Sequence, residues 1–426
     1  MPSHSCRKGI SMEKHKYREL LSQKQYLKLL VADLISRFGD SLDAIAYSWI
    51  MYEVTGSESL MALIIGLNYI PTVILQPFSG ALVDRINKRF IMVITDVLRF
   101  AIVALLVVLY MSGNLTPLII AILTICTSTI EAFRIPAGSA ITPMLLESSH
   151  YTVGKAASYS SARVSQLLGY VVSGGLIALI GSAGVLIIDS ITFLISAVLI
   201  SAIKVKEKRG TKKIEARQIF LDFKDGLSFL KKSKTVQIVS VIGLVINFGL
   251  MPLSVFQTPY VSDYLKMGAG VLSYIKILMI VGMMLGAFIT PKLLKIPKGT
   301  LCIVAGIGMG ISLICMHITT LVTQTYFMLA LLTLSMIGVG IGGGVLNVII
   351  GGGMMAAVPK DMMGRMSGLN AAIMEASMPV GSFLCSALVL KFSVPQLFAI
   401  FGICTIVFYF ILCVFRHTES LNTPSD

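Results

Sequence analysis

Twelve stretches of about twenty residues, most of them nearly free of charge, fill this chain between residues 27 and 415. They lie near 27–52, 60–83, 90–112, 116–136, 156–181 and 184–203, then 236–261, 270–291, 300–318, 326–349, 366–390 and 396–415. Segments of that length and apolarity match the thickness of a bilayer. In lipid every backbone N–H and C=O must be satisfied within the segment, which leaves the α-helix as the structure for each. Composition agrees: 13% of residues are charged and 55% hydrophobic, against about 25% charged in soluble domains. The expected class is an all-α membrane protein of twelve transmembrane helices.

The basic residues orient these helices. With the N-terminus on the cytoplasmic side, all but five of the 35 Lys and Arg fall on that side. Of the five, Arg37, Arg99 and Lys276 lie within spans, and Lys266 and Lys391 lie on the opposite face. This bias follows the positive-inside rule and places both termini in the cytoplasm of a cell (plasma) membrane. The net charge of +14 is therefore a topology signal, and no nucleic-acid partner is expected. No cleavable leader is expected either, since the first 25 residues are polar and basic; Met12 offers an alternative start, which would leave 1–11 outside the native chain.

The domain expectation is a cytoplasmic tail (1–25), a first six-helix bundle (26–203), a basic linker (204–234), a second bundle (235–415) and a short cytoplasmic tail (416–426). The linker is expected to carry an amphipathic helix through Ile219, Phe220, Phe223, Leu227 and Leu230. The halves echo one another: Gly154-Lys155 follows the fourth span as Gly364-Arg365 follows the tenth. A twofold repeat of six spans is a mark of secondary transporters.

"ADLISRFGDSLDAIAYSW" (32–49) is the anomalous span. On a helical wheel Asp33, Ser36, Arg37, Asp40, Asp43 and Tyr47 fall within an arc of about 120°. An ionisable residue at membrane depth is costly, so this face should look into a cavity or another helix. Arg37 is spaced to pair with Asp33 or Asp40. Asp40 and Asp43 fall near mid-span, where desolvation favours an uncharged carboxyl; with Glu375 of the eleventh span they are the expected proton carriers. Ion pairs that merely hold helices together are the competing explanation. A Met- and aromatic-rich wall suits varied greasy ligands; its candidates are Tyr47, Asn68, Tyr69, Gln76, Asn247, Phe256, Gln257, Tyr260 and Met283.

"GALVDRINKR" (80–89) resembles the signature loop of the major facilitator superfamily, G-x-x-x-D-R-x-x-[RK]-[RK], between the second and third of twelve spans. Gly80, Asp84, Arg85, Lys88 and Arg89 match, and Asn87 stands where that pattern often has Gly. "YEVTGS", "TDVLRF", "FRIPAGSAITPML", "IDSITFLISAVL" and "VPKDMMGRMSG" are similar to the macrolide-efflux and enterobactin-exporter branch. The resemblance implies two pseudo-symmetric six-helix bundles with a substrate cavity between them. It also implies that Asp84 latches a gate, and that Asp33, Arg37, Asp96, Arg99, Glu131 and Arg134 form a charge cluster near it. One departure is "GYVVSGG" (169–175), where antiporters of the superfamily usually carry G-P-x-x-G-G.

The function expected is proton-coupled efflux of amphiphilic small molecules, such as a drug, macrolide or siderophore, by a monomer using alternating access. Uptake of a small polar solute by the same fold is the alternative, and a non-transporting scaffold or enzyme a more distant one. Neither cofactor nor metal is expected. "GVGIGGG" (338–344) contains a formal G-x-G-x-x-G, but no strand precedes it; close helix packing explains it better. The seven cysteines are scattered without a C-x-x-C pair. A composition rich in Ile, Lys and Met points to a bacterium.

Overall fold

The computed structural model describes residues 20, 22–83, 86–147, 150–205, 224, 227–293, 296–359 and 362–414. These form α1 (Lys24–Thr55), α2 (Glu58–Val83), α3 (Lys88–Met111), α4 (Pro117–Ile141), α5 (Tyr151–Ser201), α6 (Lys234–Gly249), α7 (Met251–Pro259), α8 (Ala269–Leu293), α9 (Lys298–Thr319), α10 (Thr325–Ala357), α11 (Met363–Leu388) and α12 (Val394–Val414). No strand occurs among the described residues.

Ten helical segments among the described residues are long and apolar enough to cross a membrane. One of them, Ala157–Ser201, carries two spans, because Gly181 interrupts α5 at φ 71, ψ 169. That conformation strains any residue with a Cβ, and it falls at the expected end of the fifth span. The charged α1 is the twelfth. The seventh span is α6 and α7 run together, broken where Pro252 enters near the start of α7, followed by a π turn at Tyr260–Tyr264.

Large apolar side chains stand exposed along these helices, among them Val108, Leu179, Leu334 and Phe410. Lipid solvates such surfaces, so their exposure carries no penalty in a bilayer.

The chain divides into two compact units. One comprises 1–47, 74–115 and 125–212; the other comprises 48–73, 116–124 and 213–426. The division passes through α1, α2 and α4. Most of the linker and the C-terminal tail lie outside the described residues, as do Ile219, Phe220 and Phe223 of its expected helix; 227–232 are helical.

Small residues set the packing of the second unit. A Cβ on Gly340 would strike the carbonyl of Met279, and one on Gly344 the carbonyl of Met283; Gly282 and Gly286 meet Ile337 and Ile341 from the other side. The glycine run of 338–344 is thus where α10 lies against α8, backbone to backbone. Gly340→Leu should destabilise the protein by about 1–3 kcal/mol or more through overpacking, seen as a lowered melting temperature in detergent. An unchanged melting temperature would refute the close approach.

The signature loop is anchored by backbone groups. Asn87 caps α3, its side chain accepting from the Phe90 N–H at 2.9 Å. Lys88 Nζ donates to the carbonyl of Val83 at the end of α2 (3.3 Å), and Arg89 Nη1 to that of Ile203 just past α5 (2.8 Å). Cations at helix C-termini are favoured there by the orphan carbonyls and the helix dipole. Carbonyls at helix ends are contacts that only the fold reveals. Asp84 and Arg85 lie outside the described residues.

Candidate functional site

Two arginines gather the acids of the first unit. Arg134 of α4 donates from Nε to Asp96 Oδ1 of α3 (2.8 Å) and from Nη2 to Asp33 Oδ1 of α1 (3.0 Å). The other oxygen of Asp96 accepts from Ser196 Oγ of α5 at 2.7 Å. Asp96 is completely buried, so both its oxygens need these partners.

Three residues along α3, Arg99 donates from Nη2 to Asp40 Oδ1 of α1 at 2.7 Å, with Glu131 Oε1 of α4 at 3.8 Å. Its guanidinium lies over the Phe193 ring, 4.0 Å from the centroid. Arg37 reaches Asp40 Oδ2 at 3.4 Å and is half exposed. Asp43 lies in the field of Arg99, Asp40 and Glu131.

The local sequence explains the convergence. Asp33, Asp40 and Asp43 share one face of α1, as the wheel requires. Gly169 of α5 lets that helix reach the carbonyl of Phe38 and the side chain of Ser41, and Ser165 Oγ donates to the Leu34 carbonyl at 2.6 Å. Gly169 of "GYVVSGG" therefore serves close packing on α1, and Tyr170, in the position of the missing Pro, lies in the field of Asp40.

An open cavity of about 610 Å³ is lined by Asp33, Ser36, Arg37, Asp40, Arg99, Glu131 and Arg134, with Thr142, Ser158 and Tyr159 among its other walls. The expected charge cluster is thus brought together, except that Asp96 is sealed behind it. Asp40 differs from the expectation of a carboxylate without a fixed cation: Arg99 binds it directly while its other flank faces the cavity. Such pairing was invisible because the two residues are 59 positions apart.

Asp189 of α5 is a further acid at the site. In the structure it is fully buried, within the fields of Asp43, Asp40 and Arg99. A lone acid inside "LIIDSITFLIS" was the signal available.

The remaining candidates sit in the second unit, Tyr47, Gln76 and Gly80 excepted. Glu375 of α11 has a buried Oε2 without a hydrogen-bond partner among the described residues, and its charge acts on Tyr69. Asn247 Nδ2 donates to the Met374 carbonyl at 3.1 Å. Phe256 and Tyr260 are wholly enclosed, and Gln257 nearly so; Tyr260 Oη donates to the Met316 carbonyl (2.8 Å), and its ring meets Phe398 edge-on. Phe256 and Tyr260 pack the helices in this conformation and present no wall to a cavity. Asn68 is partly exposed, as are Tyr47 of α1 and Met283, whose carbonyl receives Gly344. The Gln76 side chain and the surroundings of Gly80 lie outside the described residues.

A family model of the major facilitator superfamily matches residues 29–379. The chain belongs to the major facilitator superfamily. Among relatives of this superfamily member, macrolide efflux protein A of Streptococcus pyogenes is 23% identical over 385 residues, covering 89% of this chain and 92% of that protein. The multidrug efflux pump Tap of Mycolicibacterium fortuitum is 22% identical over 371 residues, covering 85% and 88%. The nucleoside transporter NupG superposes with a TM-score of 0.75 at 13% identity, over 92% of this chain and 99% of that one, a likeness of fold alone. The protein is thus a multi-pass membrane transporter of small molecules, not an enzyme, built as the all-α fold of its superfamily.

Proposed function

We propose that this transporter expels amphiphilic small molecules from the cell in exchange for protons, by alternating access between two six-helix halves, 26–203 and 235–415. The observation that carries the reading is the excess of acid in the first unit. Asp33, Asp40, Asp43, Asp96, Glu131 and Asp189 share Arg37, Arg99 and Arg134. Six unprotonated carboxylates would leave net negative charge in a low-dielectric bundle, at high cost. Protons are the ordinary remedy, and those on acids facing an open cavity can exchange.

Amphiphilic cargo is supported by the relatives named for macrolide and multidrug efflux and by the apolar character of the spans. The basic loops support an orientation with both termini in the cytoplasm. The membrane potential supplies about 2.3 kcal/mol per charge per 100 mV, adequate for uphill export.

Reconstitution in liposomes tests this. A macrolide or cationic dye should move against the imposed proton gradient, and a protonophore should stop it. Flux indifferent to the gradient would remove the proton from the mechanism.

A further inference from the structure

Arg99 and Asp189 are each left with an unanswered hydrogen-bonding atom. Arg99 Nε and Asp189 Oδ2 are both buried, and neither has a hydrogen-bond partner among the described residues. One is a donor and the other an acceptor, and the two residues lie within each other's field. An unsatisfied buried polar atom costs about 1–3 kcal/mol, so two complementary ones within each other's field require a reason.

The second arm of α5 supplies the geometry. Asp189, Phe193 and Ser196 recur at spacings of four and three on one helical face. Ser196 holds Asp96, and Phe193 lies beneath the Arg99 guanidinium. The stripe therefore runs antiparallel to Asp96 and Arg99 of α3, with Asp189 one turn beyond the ring that carries the guanidinium. Gly39 of α1 makes room, since any side chain there would collide with Asp189 and Thr192. Asp189 Oδ1 accepts only a long bond, 3.5 Å, from Thr192 Oγ1.

We propose that Arg99 is a two-seat switch: it is held by Asp40 in the conformation described and passes to Asp189 when Asp40 is protonated. The proposal deepens the proton-coupled reading above and rests on it for its purpose. In the described seat Asp189 holds a proton and is uncharged. A proton from cavity water then adds to Asp40, which loses its hold on Arg99. The guanidinium slides along the Phe193 face to Asp189, whose proton moves to Asp43. The cluster gains one proton in total, and the ion pair has moved from the cavity wall to the buried interior. The groups facing this exchange are Arg37, Asp40 and Asp43 from α1, Glu131 from α4, Tyr170 from the first arm of α5 and Thr192 from the second; Arg37 keeps its contact with the other oxygen of Asp40, at 3.4 Å. Glu131 steadies Arg99 in transit.

An experimental structure of the full-length Asp40→Asn variant tests the switch without relying on transport. Arg99 should be found bonded to Asp189, and wild type determined at low pH should show the same pairing. Arg99 remaining against residue 40, or settling on Glu131, overturns the proposal even if the protein pumps as proposed. In liposomes, Asp189→Asn should keep substrate exchange without a gradient and lose at least tenfold in gradient-driven flux; Asp189→Glu should restore it with a displaced pH profile. Gradient-driven flux equal to wild type with an unmoved pH profile, or equal loss of exchange and gradient-driven flux in a folded Asp189→Asn protein, counts against the switch.

Discussion

Replacing Arg134 by methionine should cost the folded protein about 3–5 kcal/mol, the penalty for leaving a buried ion without its partner. Its two acceptors are unequal in what they lose. Asp33 is 37% exposed on its side chain and can turn to water in the cavity. Asp96 cannot, since it is 0% exposed and keeps only Ser196. The stranded charge, more than the lost bond, sets the size of the effect. Adding Asp96→Asn to Arg134→Met should therefore recover most of the stability, because the amide oxygen still accepts from Ser196 and no charge remains. Thermal unfolding in detergent of the two single variants and the double variant gives the coupling. Additive losses would mean that the pair contributes little to the fold.

Asp43→Asn should reduce gradient-driven efflux to the level of empty vesicles while membrane insertion and melting temperature stay near wild type. Asp43 is partly exposed and forms part of the acid excess that defines the site, yet no salt bridge ties it to a single cation among the described residues. An amide is isosteric and cannot carry a proton, so the variant separates charge from shape. Asp40→Asn should abolish pumping too, with a further consequence: it releases Arg99 from its 2.7 Å contact. Exchange of substrate across the membrane without a gradient should survive in Asp43→Asn, since it requires no net proton movement. Wild-type pumping by both variants would leave the acids as structural ion pairs only.

Helix number and class were legible because lipid imposes a local rule: each span must be long, apolar and internally bonded. Even the break at Gly181 could be read, since a single residue type permits that backbone. The polar face of α1 was equally readable from helical periodicity, and Asp33 and Asp40 of that face line the cavity. Partner choice was not readable. Asp33 meets Arg134 across 101 positions, and no periodicity within one helix can name a residue on another.

Other contacts share that cause. Arg89 donates to the carbonyl of Ile203, a partner that exists only once α5 ends beside α3. Tyr260 and Phe256 seemed to line a cavity because aromatic residues suit one, but a helix side facing a partner and a side facing a cavity look alike in sequence. Asp189 joins the site only through its packing at Gly39 and the field of Arg99, neither of which its place in the sixth span can show.

The sequence by itself determined that this protein crosses a membrane twelve times as helices and that its first helix carries charge on one face, since both follow from the cost of moving each segment out of water. Which acid answers which arginine, and which acid is left waiting, was decided only by tertiary packing. Those pairings depend on close approaches at Gly39 and Gly169 that bring distant helices within hydrogen-bonding reach.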